Sequence, residues 1–198
     1  MLSKSTLNNH ITLTNLCLLG LTTIFSNTCY AEAGTLLGKG SAEQCFEESQ
    51  LVFSTRGLAY CDNAIQKESL RKYDLAATYS NRGIIYGGNG RYQLAIRDHT
   101  KAIELIPTLG QAYVNRGNAY YHSLDYELAL SDYDQALLVG GSQLRLTHIN
   151  RCIVLLKLHR IDEALIAAQK AVELAPNSKR ANKLLADVKD VYARRSER

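Results

Sequence analysis

A chain of 198 residues, 46% hydrophobic and 21% charged, carries too much apolar content and too little net charge to stay disordered. A formal charge of +4 is too mild to predict nucleic-acid binding unless it is clustered. The one basic cluster, Arg194, Arg195 and Arg198, reads as a solvated helix end, where cations suit the C-terminal dipole.

The first thirty or so residues differ from the rest. Lys4 is the only formally charged residue before Glu32, and "ITLTNLCLLGLTTIF" (11–25) is a mainly apolar run. Small residues follow in "CYAEA" (29–33). A charged start, an apolar middle and a small-residue cut site predict a secretory leader over 1–31. An uncleaved anchor stays open as the alternative, although a spanning helix needs roughly twenty apolar residues. "SNTC" before Tyr30 lacks the pattern that precedes a lipidated cysteine. Cleavage after Ala31 removes Lys4 and leaves 22 − 19 = +3. Cys45, Cys61 and Cys152 remain, and in an oxidising compartment two of them pair with one left over.

Further along, "YSNRGIIY" (79–86) returns as "YVNRGNAY" (113–120), 34 residues later. A third version, "HINRCIVL", starts at His148. The units begin near Ala76, Gly110 and Arg145, so the steps are 34 and 35 residues. In each first half an apolar face recurs at helical spacing: Tyr79, Gly83 and Tyr86, then Tyr113, Gly117 and Tyr120. In each second half Ala95 and Ala102, Ala129 and Ala136, and Ala164 and Ala171 do the same. Short polar segments separate the halves, among them "GGNGR" (87–91). No segment alternates with period two for long enough to make a strand, so the pattern predicts an array of helical hairpins.

This pattern resembles the tetratricopeptide repeat family, whose period is 34 residues. The family's aromatic–Gly–Tyr trio matches Tyr79, Gly83 and Tyr86 and then Tyr113, Gly117 and Tyr120, and its small pair matches the alanines above. Its closing Pro matches Pro107 and Pro176, with Gly141 standing in for the middle unit, and the third unit departs at His148, Cys152 and Leu155. The resemblance implies an all-α, right-handed solenoid of stacked antiparallel hairpins. The expected organisation is the leader, a linker over 32–41, a degenerate helix pair over 42–75, repeats over 76–109, 110–144 and 145–178, and a capping helix with a basic tail over 179–198.

Register within the array predicts which side chains meet. The residue facing each small first-helix position lies 16 later: Gly83 with His99, Gly117 with Tyr133, Cys152 with Ala168. Small faces large twice, and the third pair splits the difference. Aligning Ala64 with Ala102 places Cys45 and Cys61 in the same facing positions of the degenerate pair. A Cys45–Cys61 disulfide is expected there, the alternative being two buried thiols. The segment from Asn177 carries apolar residues at helical spacing behind a capping Asn177 or Ser178, as the end of a repeat stack requires.

No enzyme is expected. His99 and His148 fall at packed positions, and no Cys or carboxylate stands at metal-ligand spacing beside His122 or His159. The glycines of "GGNG" are followed by no Lys-Ser/Thr, so they read as a turn rather than a phosphate loop. Asp98, Asp132 and Asp134 are expected on a solvated face. No cofactor, metal or nucleic acid is expected.

In the family, first helices line a concave groove that receives a partner's peptide or helix. By position, the resemblance implies a groove of Asn81, Ile84, Val114, Asn115, Asn118, Tyr121, His122, Ile149, Asn150 and Ile153. The recurring Asn81, Asn115 and Asn150 either bind a peptide backbone or only bridge repeats. Ser80 and Leu146 stand where one subclass of the family holds a C-terminal carboxylate with lysine. Arg82, Arg116 and Arg151 are expected to pair with acidic neighbours between repeats. The implied protein is an exported adaptor, periplasmic with an extracellular location left open, for an unidentified protein or peptide. The alternatives are a self-associating repeat or a regulatory subunit of an envelope enzyme or assembly complex.

Overall fold

The computed structural model describes residues 40–51, 55–140 and 143–196. The leader over 1–31, most of the linker and the closing role of Gly141 lie outside the described residues. Among the described residues there are nine helices and no strand. They are α1 (Ser41–Ser49), α2 (Arg56–Lys67), α3 (Lys72–Gly88), α4 (Tyr92–Leu105), α5 (Gly110–His122), α6 (Tyr126–Val139), α7 (Leu144–Lys157), α8 (Ile161–Leu174) and α9 (Lys179–Ser196). Consecutive helices pair as antiparallel hairpins, and each hairpin stacks on the next: α4 on α5, α6 on α7, α8 on α9. None of the described helices is long and apolar enough to cross a membrane.

Each hairpin is set by one close crossing. A Cβ added to Gly83 would sit 2.7 Å from Cε1 of His99, and one on Gly117 would sit 2.8 Å from Cε1 of Tyr133. No larger residue fits either place without moving a buried ring. A mid-helix glycine costs about 1 kcal/mol against alanine, and the packed ring above it offsets that cost. In the fourth hairpin, α7–α8, Cys152 and Ala168 are both fully buried. In the first, Cys45 of α1 and Cys61 of α2 stand at disulfide distance, their Cα atoms 4.8 Å apart. The hairpin α1–α2 needs such a staple, because α1 has only two buried residues, Cys45 and Ser49. Glu68 also steadies it, accepting the Ser41 backbone N–H at 2.6 Å at the start of α1.

The turns repeat as strictly as the crossings. Arg91 N–H donates to the Tyr86 carbonyl, Asp125 to Tyr120 and Arg160 to Leu155, each at 2.9 Å. This is the six-to-one bond of a Schellman C-cap, which needs a left-handed residue one place earlier. Those residues are Gly90 (φ 74°), Leu124 (φ 67°) and His159 (φ 57°). Gly90 therefore makes the turn in the first unit. Gly87 and Gly88, expected in that turn, belong instead to the last turn of α3. Helix α3 also starts at Lys72, four residues ahead of the expected boundary at 76, and α2 ends at Lys67.

Two further relations decide where a ligand could lie. Neighbouring first helices touch, α3 with α5 and α5 with α7, whereas neighbouring second helices make no comparable contact. The stack therefore bends toward its first helices, which form the inner wall. At the far end α9 covers α8 with Ala181 and Val188, both fully buried, while the rest of its surface is largely exposed. Ser178 caps it, its Oγ accepting the Ala181 N–H at 3.3 Å.

Candidate functional site

The close crossing of each hairpin fixes a polar seam one residue away. Arg82 precedes Gly83 and Asp98 precedes His99, so the crossing that pairs 83 with 99 also pairs 82 with 98. Arg82 Nε donates to Asp98 Oδ2 at 2.7 Å, and its NH2 group donates to Oδ1 at 2.9 Å. Arg116 grips Asp132 in the same bidentate way, at 2.8 and 2.7 Å. Each arginine also reaches back one hairpin, Arg82 to Asp62 at 2.6 Å and Arg116 to Thr100 Oγ1 at 3.0 Å. Arg151 keeps only the backward contact, to Asp134 at 2.6 Å, because its own second helix offers Ala167.

Tyrosines complete this seam. The Arg82 guanidinium carbon lies 5.4 Å from the Tyr79 ring centre and 5.9 Å from that of Tyr86. Arg116 lies 5.7 Å from Tyr113 and 6.0 Å from Tyr120. The Tyr-x-x-Arg-x-x-x-Tyr frame thus sandwiches a guanidinium between two rings, and His148 and Leu155 replace both rings in the third copy. Asp98 and Asp132 are 1% and 4% exposed, which corrects the expectation that they lie on a solvated face. That expectation fails because each follows the ring-bearing crossing inward instead of turning to water. The Asp98 bond holds Arg82 well above its ordinary pKa. At Asp132 burial outweighs the pull of Arg116 and lifts the carboxyl, while the same bond lifts Arg116. The arginines pair within their own hairpin as well as between hairpins, more than the sequence predicted.

The inner wall holds two adjacent cavities. The first, about 240 Å³, is lined by Gly83, Ile84, Gly87, Gly88, Tyr92, Ala95, His99, Asn115, Asn118, Ala119 and His122. The second, about 300 Å³, is lined by Asn118, Tyr121, His122, Tyr133, Asn150, Ile153 and Arg180. Asn118 and His122 border both. The structure therefore brings Ile84, Asn115, Asn118, Tyr121, His122, Asn150 and Ile153 together on one surface.

It does not bring the rest. Val114 and Ile149 are 5% and 1% exposed, so both are withdrawn as groove residues. Each precedes a wall asparagine by one position, about 100° around the helix, which turns it into the seam between hairpins. Asn81 is half-buried and lines neither cavity. Tyr92, His99, Tyr133 and Arg180 were missed: three sit on second helices and one on α9. Their sequence signal was present in the 16-residue pairing, which aims His99 and Tyr133 at the first helix.

Hydrogen bonds distinguish the asparagines. Asn118 Oδ1 accepts from Tyr133 Oη at 2.8 Å and from Asn150 Nδ2 at 3.0 Å. Asn150 thus bridges repeats through Asn118, which lines both cavities. Asn115 Oδ1 accepts from Gln111 Nε2 at 2.9 Å, while its Nδ2 is buried with no partner. Tyr92 stacks on His122, ring centres 5.2 Å apart and 12° from parallel. Burial holds His99 neutral, its pKa pulled down to about 3 with help from Arg116, and its Nδ1 lies 3.3 Å from Ser80 Oγ. Burial pushes the Cys152 thiol up to about 12, which leaves it unreactive. Among the described residues no group of His, Cys, Asp and Glu is placed to hold a metal.

The tetratricopeptide repeat model matches residues 76–109. No curated protein sequence matches the chain. Among solved structures, the second tetratricopeptide repeat domain of human RPAP3, in complex with the HSP70 peptide SGPTIEEVD, is 27% identical. It covers 60% of this chain and 98% of its own, with a TM-score of 0.57. YrrB, described as having an unusual peptide-binding site, is 26% identical over 65% of this chain and 63% of its own, with a TM-score of 0.57. MamA of AMB-1, 14% identical, covers 79% and 83% with a TM-score of 0.63 and shares the fold alone. Residues 76–109 thus match the tetratricopeptide repeat, and the hairpins stacked on either side of them share the fold of such arrays.

Two outcomes follow from the seam. Asp98→Ala leaves Arg82 short of its buried partner and is expected to cost about 3 kcal/mol in urea unfolding. Asp134→Ala removes a half-exposed partner and is expected to cost below about 1 kcal/mol. Equal losses would mean that the hairpin ion pair is not what orders the crossing. His99 is neutral when folded but takes a proton near pH 6.5 when unfolded, so its stabilising contribution is complete above that pH. It is lost as pH falls toward about 3, by up to about 1.4 kcal/mol per pH unit. Unfolding measured at pH 6.5 and about pH 5 is expected to show a smaller acid loss for His99→Gln than for the wild type.

Proposed function

We propose that this array is a protein-interaction module that takes an extended segment of a partner along its inner wall. The observation that carries the reading is the pair of cavities joined at Asn118 and His122. A peptide there would find one side-chain pocket on each side of an amide donor, the arrangement by which backbone and side chains are held together. The peptide in the RPAP3 complex ends in EEVD. Here Arg180 is the only formally charged residue lining either cavity, and Ser80 is buried against His99. The proposed ligand is therefore not an acidic tail.

Peptides selected from a random dodecapeptide display library on the purified protein are expected to bind Asn118→Ala at least 10-fold more weakly, with helix content unchanged. Recovery of no peptide, or equal binding by the variant, would refute the groove. The protein is further proposed to be exported, because a leader-like start precedes two cysteines at disulfide distance. Mass spectrometry of the protein recovered from its native cell is expected to find a chain starting at Glu32, with Cys45 and Cys61 unreactive to alkylation until reduced. Alkylation of both without reductant would overturn this.

A further inference from the structure

Glycines in helices normally have a packing reason, and most here do. Gly83 and Gly117 lie under rings, and a Cβ on Gly57 would sit 2.6 Å from Ile85 Cδ1. Gly87 and Gly88 have no such reason. A Cβ on Gly88 would meet nothing within 4 Å, and one on Gly87 would meet only Ala95 Cβ at 3.8 Å, an ordinary contact. Neither has the left-handed backbone that belongs to Gly90. Both sit inside α3, where glycine weakens a helix relative to alanine, and nothing in the fold repays that loss.

What they do is leave the first cavity open. At the same register the second unit carries Tyr121 and His122, and the third carries Leu156 and Lys157. Only the first unit presents bare backbone there. The space is about 240 Å³, below the roughly 300–1,000 Å³ of sites that engulf whole small-molecule ligands. One side chain is the better match. Three rings line it, Tyr92, His99 and His122, and no lining residue carries a carboxylate, ammonium or guanidinium. Stacked or edge-on ring contacts reward an aromatic guest, and an unpaired charge would be desolvated there without compensation.

We infer that Gly87 and Gly88 build a specificity pocket for a single uncharged aromatic side chain of the bound segment. This rests on the groove reading and adds to it the class of residue that anchors the partner. The guest ring enters between the glycine wall and the Tyr92–His122 stack, and its own backbone passes Asn115 and Asn118.

The test uses p-cresol, the side chain of tyrosine, titrated into the isotope-labelled protein and followed by nuclear magnetic resonance. Saturable shifts are expected at the Gly88 backbone amide and at the Asn115 and Asn118 side-chain amides, with none from butylammonium or propionate. Gly88→His, which copies the second unit, is expected to weaken p-cresol at least 10-fold while the melting temperature holds or rises. Gly88→Ala, adding one methyl group, is expected to keep binding within about 3-fold. A purely structural glycine would instead lower stability when replaced. Absence of shifts in the wild type, equal shifts from the charged probes, or undiminished binding by Gly88→His would each overturn the pocket. Display-selected peptides separate the two readings. Peptides that lose affinity on Asn118→Ala but keep it on Gly88→His leave the groove standing without this pocket, whereas peptides indifferent to both variants refute the groove itself.

Discussion

The close approach of two helices within each hairpin is the constraint on which the rest depends. Gly83 under His99 and Gly117 under Tyr133 leave no room for another carbon, so the second helix is seated at a single register. That register then decides the neighbouring contacts. Because the small residue and the arginine are adjacent, seating the ring delivers a buried aspartate to the guanidinium, and two tyrosines on the first helix close over it. Apolar packing supplies the approach and the ion pair makes it specific. A buried charge pair is weak evidence for net stability, and here its role is to penalise a slipped register, which would bury both charges unpaired.

The variation between units follows from the same frame. The first unit has acid partners on both sides of Arg82. The second has an acid on one side and Thr100 on the other, and the third has only the backward acid. As the polar seam thins, the apolar seam thickens: Val154, Leu155 and Ile149 are all fully or nearly fully buried in the third unit. The stack therefore changes from an ion-stapled start to an oil-packed end, closed by α9. At its beginning α1 and α2 bury few large side chains, and there two cysteines occupy the crossing positions held elsewhere by glycine and a ring. A covalent link can do in a small hairpin what packed area does in a larger one.

These differences shape the inner wall. Where all units are alike, a groove is uniform and says little about its guest. Here the first unit withholds side chains at Gly87 and Gly88, the second fills those places with Tyr121 and His122, and the third offers Ile153 near Arg180. The wall is thus graded along its length, and amides at Asn115 and Asn118 run through the middle of it. A segment lying there would be held in one direction and one register.

The 34-residue period, the hairpin architecture and the facing pairs 16 apart were legible in the sequence, because small and large residues recur at helical spacing and a helix repeats its faces faithfully. Asn115, Asn118, His122 and Ile153, expected in a groove, line the two cavities. The sequence did not reveal that Val114 and Ile149 turn inward, since one step along a helix separates wall from seam and only the crossing angle decides which is which. Nor did it show Asp98 and Asp132 as buried, because a charged residue on a second helix reads as solvated until a partner 16 residues away is brought over it. The glycines of "GGNG" looked alike in sequence. Tertiary structure alone divided them, giving Gly90 the left-handed turn and leaving Gly87 and Gly88 in a helix with no close crossing above them.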